Sequence, residues 1–218
     1  MKPLILLNFK TYKEAAGKNA LALAKQLETV HSKEYDIVVA PSILMLKEIV
    51  DKTSLTVYSQ HTDNISLGAH TGRIPAEELK AMGVKGTLLN HSERKIPLEF
   101  LQEIVEICKK KQLKTVICAS SLSEVGKVAE FKPDFLAYEP PELIGGKISV
   151  TEAKPDLILK ALEIVDKVSP KTRLLCGAGV HSKQDLGQAL MLGAKGVLIG
   201  HAVPKAKNPG KFLQEMLR

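Results

Sequence analysis

Leu4-Ile5-Leu6-Leu7-Asn8-Phe9-Lys10 opens the regular part of this 218-residue chain. Four apolar residues without alternation read as a strand buried on both faces, the habit of a parallel sheet. A doubly wound dinucleotide fold would follow its first strand with a GxGxxG turn, and Asn8-Phe9-Lys10 stands there instead. Seven similar runs recur downstream. Strands are expected at 4–8, 36–40, 56–60, 86–90, 115–119, 135–138, 173–176 and 196–199. Between them lie stretches whose apolar residues recur at spacings of three and four, as in Leu21, Ala24 and Leu27. Those predict helices at 14–30, 43–50, 75–82, 98–111, 122–131, 154–168, 183–192 and 209–217. No Ser- or Pro-rich linker or shift of composition interrupts the eight β-α units. The count fits an α/β chain folded as one closed (β/α)8 barrel domain over 1–218, shorter than the usual size of about 250 residues.

Composition narrows the function classes. A hydrophobic fraction of 44% and a charged fraction of 25% are ordinary for a globular protein. No apolar run approaches the roughly 20 residues that span a bilayer, so no membrane partner is expected. Residues 1–7 are too short for a signal peptide and flow directly into a strand, which points to the cytoplasm. The three cysteines, Cys108, Cys118 and Cys176, are odd in number and form no CxxC pair, against both a disulfide framework and a zinc knuckle. The net charge of +7 invites a nucleic-acid partner, but the lysines are dispersed and only 4% of residues are aromatic. A basic surface that attracts small anionic metabolites is the better reading.

In a (β/α)8 barrel the chemistry sits where the strands end at their C-terminal tips. Leu136-Ala137-Tyr138-Glu139-Pro140-Pro141-Glu142-Leu143-Ile144-Gly145-Gly146-Lys147 ends its strand in a carboxylate, followed by two prolines and then paired glycines. Glu139 is thus a candidate base at a strand tip, beside a stiff loop whose far end can swing. Lys10 ends the first strand as either a solvated loop lysine or a fixed cation for an anionic substrate. Gln60 stands at the end of the third. His91, in Asn90-His91-Ser92-Glu93-Arg94-Lys95, precedes what reads as a short helical turn, whose positive end would keep the imidazole neutral. Glu93 could pair with Lys10 across the mouth. The glycine clusters Gly177-Ala178-Gly179 and Gly200-His201 end strands seven and eight, where barrels often hold phosphate on backbone N–H groups. His61, His70, His91 and His201 match no HxxxH or HExxH spacing, so no metal is expected.

Taken together, NFK, NHSERK, YEPPELIG, CGAGV and a glycine-bearing eighth loop resemble the triosephosphate isomerase family, in the family's order and over essentially the whole chain. The resemblance implies a TIM barrel that interconverts dihydroxyacetone phosphate and glyceraldehyde 3-phosphate without metal or organic cofactor. It implies Glu139 as the base, neutral His91 as the group polarising the carbonyl, and Lys10 with Asn8 as substrate ligands. It implies phosphate on backbone amides around Ile144–Gly145, Gly179 and Gly200–His201, under a lid at about 140–150. The short length and the wording EPPELIGG and AVPKAKNP resemble the archaeal branch, which implies a homotetramer, with a dimer as alternative, and a loop 61–73 that carries Thr71 into a neighbouring subunit. Three positions depart from the family wording: Arg73 where many members are acidic, His201 where a small residue is usual, and Gly146-Lys147 in place of Gly-Thr-Gly. The competing readings are another phosphate-binding barrel, which would not need His91 and Glu139, and a silent barrel scaffold, against which the intact Lys10, His91 and Glu139 argue.

Overall fold

A computed structural model describes residues 2–140 and 154–218. Eight parallel strands close in sequence order: β1 (Leu4–Asn8), β2 (Asp36–Ala40), β3 (Thr56–Ser59), β4 (Gly86–Leu89), β5 (Lys114–Ala119), β6 (Phe135–Tyr138), β7 (Arg173–Cys176) and β8 (Gly196–Ile199). β8 pairs back on β1, Leu4 against Gly196 and Leu7 against Ile199. Among the described residues one helix follows each strand: α1 (Lys18–Glu28), α2 (Leu46–Lys52), α3 (Ala76–Ala81), α4 (Leu98–Lys110), α5 (Leu122–Ala129), α6 (Pro155–Val168), α7 (Lys183–Met191) and α8 (Pro209–Leu217). The expected (β/α)8 barrel is the observed one.

Side-chain alternation divides the core in two. Leu4, Leu6, Val38, Ala40, Tyr58, Leu88, Val116, Cys118, Phe135, Ala137, Leu175 and Leu198 fill the barrel interior. Their strand neighbours, such as Ile5, Leu7, Val39, Ile117 and Leu136, pack outward with Leu23, Leu27, Ile104, Val105 and Val165 of the helices. Burial on both faces is why the strands read as unbroken apolar runs.

Several element boundaries differ from the sequence expectation. The stretch 14–30 is not one helix: Lys13–Ala15 is a 3-10 turn, and Gly17 (φ 52°, ψ −136°) turns the chain before α1 begins. The stretch 43–50 likewise starts as a 3-10 turn, Ile43–Met45, and α2 runs on to Lys52. β3 stops at Ser59, and β4 stops at Leu89 because Asn90 is left-handed (φ 58°). No described helix is long and apolar enough to cross a membrane.

Candidate active site

Interior parity leads to the site. In β6, Phe135 and Ala137 face inward, so the next residue on that side, Glu139, rises into the mouth. The same count places Asn8 above Leu6, Gln60 above Tyr58, Gly177 above Leu175 and Gly200 above Leu198. β4 breaks the count. The left-handed Asn90 donates from Nδ2 to the Cys118 carbonyl (2.9 Å) and to Glu124 Oε1 (2.7 Å), and its Oδ1 accepts from the Ile96 N–H (3.0 Å). His91 faces the mouth in its place. Glu124 is a firm anchor: burial favours its neutral acid, but Lys95, Ser120 and Asn90 hold its pKa at about 2.

One pocket at this mouth is lined by Asn8, Lys10, His91, Glu139, Gly179, Gly200 and His201, with Tyr12, Gly177 and His181 beside them. Asn8, Lys10, His91, Glu139, Gly179, Gly200 and His201, all expected from sequence, thus share one pocket, while Gln60 lies outside its lining. Ile144, Gly145 and Gly146-Lys147 lie outside the described residues.

Glu139 is 4% exposed, and its Oε2 has no hydrogen-bond partner among the described residues. Burial pushes its pKa up to about 7, against the opposing pull of the Cys118 thiol, Lys10 and Lys95. The carboxyl is therefore poised to change charge near neutrality, as a general base requires. His91 Nε2 lies 3.8 Å from Glu139 Oε1, too far for a hydrogen bond between them. The other ring nitrogen, Nδ1, accepts from the Glu93 N–H at 3.2 Å. That bond assigns the proton of a neutral ring to Nε2, on the Glu139 side. Burial first, and then the charge on Lys10, lower the His91 pKa to about 4. The neutrality expected from a helix end thus has a different main cause, since residues 92–94 form a single turn, closed by the Arg94 N–H on the His91 carbonyl (2.8 Å), and no helix.

Lys10 is held at three points. Its backbone is left-handed (φ 48°), a conformation of about 1 kcal/mol or more in cost for a residue with a Cβ. Its N–H donates to Asn8 Oδ1 (3.0 Å), while Gln60 Nε2 donates to its carbonyl (3.1 Å) and to that of Ala40 (2.9 Å). Its Nζ donates to Glu93 Oε1 at 2.8 Å, the pairing considered from sequence. Burial would lower the Lys10 pKa, but the Glu93 hydrogen bond and charge raise it above the ordinary value.

Two glycines make room for these side chains. A Cβ on Gly177 would lie 2.3 Å from Glu139 Cγ, and one on Gly200 would lie 3.3 Å from Lys10 Cε. Gly179 differs, with φ +70°. Among the described residues no three His, Cys, Asp or Glu side chains converge as a metal site.

A base near neutrality, a neutral imidazole protonated toward it and a fixed cation over a glycine-lined cup suit proton transfer next to a carbonyl in an anionic substrate. Comparison with known proteins agrees. The family model for triosephosphate isomerase matches residues 3–216. The chain belongs to the triosephosphate isomerase family. A triosephosphate isomerase of Methanothermus fervidus is 41% identical over 218 residues, covering 99% of this chain and 98% of its own. Those of Methanocaldococcus jannaschii and Archaeoglobus fulgidus are each 40% identical over 216 residues, covering 99% and 98% of this chain and 99% and 96% of their own.

Against the triosephosphate isomerase wording, Arg73 acts inside its own loop: its Nη1 pairs with Asp63 Oδ1 (3.0 Å), and Asp63 Oδ2 accepts from the Ile74 N–H (2.8 Å). Tyr12, Cys118 and His181 belong to the surroundings of the site, and the reading of strand ends does not single them out. For Cys118 a signal exists in the alternation of β5, where Val116 and Cys118 share the inward face and Ile117 faces out. Pairing then sets Cys118 opposite Ala137, two residues short of Glu139.

Proposed function

We infer that the chain interconverts dihydroxyacetone phosphate and D-glyceraldehyde 3-phosphate through an enediolate, as a triosephosphate isomerase of glycolysis and gluconeogenesis. The observation that carries this reading is the facing pair: Glu139 Oε1 and His91 Nε2, 3.8 Å apart beside Lys10 in one pocket. The Glu139 carboxylate takes the proton from the carbon next to the carbonyl and returns it to the neighbouring carbon. His91 donates from Nε2 to the carbonyl oxygen, and then relays a proton between the two substrate oxygens. Lys10, with Asn8 beside it, balances the negative charge that builds on those oxygens. The phosphate rests toward Gly179 and Gly200–His201. The route calls for no cofactor and no metal.

The whole chain, 1–218, acts as one barrel domain in this reading, supported by a family match over 3–216. A homotetramer is proposed, with a dimer as alternative, through loop 61–73. Leu67 in that loop is 65% exposed and Phe100 on α4 is 48% exposed, and both are large apolar groups that a neighbouring subunit would cover. Light scattering on the purified chain separates tetramer from dimer and monomer. A cytoplasmic setting is proposed on the same footing, since all three cysteines are buried free thiols, as a reducing compartment keeps them. The deciding experiment for function is a coupled assay with glyceraldehyde 3-phosphate. Turnover is expected, and its absence in pure folded protein would overturn the reading.

A further inference from the structure

We propose that His181 and His201 form a side-chain anion clasp at the β7–β8 end of the pocket, gripping the substrate phosphate alongside the backbone amides. The inference rests on the reading that places the phosphate between Gly179 and Gly200. Two imidazoles from different loops meet there, His181 just after β7 and His201 just after β8. Their rings stand edge to face, with centroids 5.4 Å apart and planes at 70°. Both line the same pocket as Lys10, Gly179 and Gly200. His181 Nε2 is shielded from solvent yet has no hydrogen-bond partner among the described residues. A buried polar nitrogen without a partner is uncommon and calls for one.

The local structure fixes the His181 backbone. Asp185 Oδ2 accepts from the N–H groups of His181 and Ser182, each at 3.0 Å, and from Ser182 Oγ at 2.9 Å. The Ser182–Asp185 capping box starts α7 and so sets where the ring projects. That carboxylate approaches the ring only at 4.0 Å from Nδ1.

The charges around the pair favour an anion between them. Lys10 faces His201 from the loop after β1 and Lys205 from its own loop, with His181 across from it. Lys205 Nζ sits 4.3 Å above the Tyr12 ring, on the same side of the mouth. Lys10 is already paired with Glu93, so it does not offer the phosphate a full free charge. Burial, then His181, Lys205 and Lys10, lower the His201 pKa. A dianion placed there reverses that balance: it attracts protons from solvent onto the imidazoles and turns each into a charge-assisted donor.

Inorganic sulfate is the probe, because its charge stays at −2 across the titration and any pH dependence belongs to the protein. Imidazole resonances of the wild-type protein, assigned with His181→Gln and His201→Gln, are titrated with and without saturating sulfate. The expected result is an upward move of both midpoints by about one pH unit, a tenfold preference of sulfate for the protonated rings. Glu139 titrates in the same range, so sulfate affinity is compared in a Glu139→Gln background. There, adding His201→Gln should weaken sulfate about tenfold at pH 6 and less at pH 8. If sulfate competes with triose phosphate while both midpoints stay in place, the clasp is wrong and the phosphate site stands. If sulfate does not compete, the phosphate site and the clasp fall together. The titration itself uses wild-type protein, and His181→Asn or His201→Asn supplies the assignment where a Gln variant folds poorly.

Discussion

Gly177 and Glu139 compete for one volume: a Cβ on Gly177 would lie 2.3 Å from Glu139 Cγ and 3.0 Å from its carboxyl carbon. Both belong to the inward face of neighbouring strands, so neither can yield outward without breaking the β6–β7 register. The glycine is thus a positioning residue for the Glu139 carboxyl. Gly177→Ala is expected to lower kcat about a hundredfold, the scale of a 1 Å misplacement of a reacting group. Steady-state kinetics and circular dichroism check it; near-normal kcat in a folded variant would contradict it.

Retracting the carboxylate without moving the backbone tests the base directly. Glu139→Asp should lose about a hundredfold or more in turnover with folding preserved. Normal turnover would remove Glu139 from the role.

The acid limb of kcat/KM should follow free Glu139, falling as pH drops below about 7 while His91, at about 4, stays neutral throughout. The Cys118 thiol lies beside Glu139 and holds its pKa down. Cys118→Ala should therefore move the limb to higher pH. A limb that stays in place or moves to lower pH shows that Cys118 does not tune the base.

Stability carries the opposite signature. A carboxyl at about 7 in the folded state and at 4.5 when exposed binds its proton more tightly when folded. Its ionisation therefore weakens the fold as pH rises from 4.5 through 7, by about 3 kcal/mol at full ionisation. Glu139→Gln, which is always neutral, should melt about 5–10 °C above wild type at pH 8, and the gain should vanish near pH 4.5. Thermal melts at the two pH values decide it, and a gain independent of pH would point to packing in place of charge.

Lys10 should matter for binding as well as rate. Lys10→Ala is expected to weaken sulfate inhibition about tenfold or more as it lowers turnover. Gly200→Ala, whose Cβ would press on Lys10 Cε at 3.3 Å, should show a milder form of the same defect. Unchanged inhibitor affinity in Lys10→Ala would place the anion elsewhere.

Much of this site was legible along the chain because its residues sit at strand ends, and strand ends are local events. An unbroken apolar run stops where a polar residue begins, which singles out Asn8, Lys10, His91 and Glu139. What read poorly were the places where one residue's backbone breaks the pattern. Gly17 splits the first helical stretch, and the left-handed Asn90 hands the mouth-facing position to His91.

The barrel, its strand order and the candidate acid and imidazole at its strand ends follow from sequence alone, because the period and ends of buried strands are written in neighbouring residues. Distances across the mouth do not, because they arise only when β8 closes on β1 and all eight tips share one rim. Closure sets Glu93 against Lys10, while the pairing of neighbouring strands sets Gly177 beneath Glu139, Cys118 beside that carboxyl and His181 against His201. Burial within that rim, not any local turn, then raises the pKa of Glu139 and lowers that of His91.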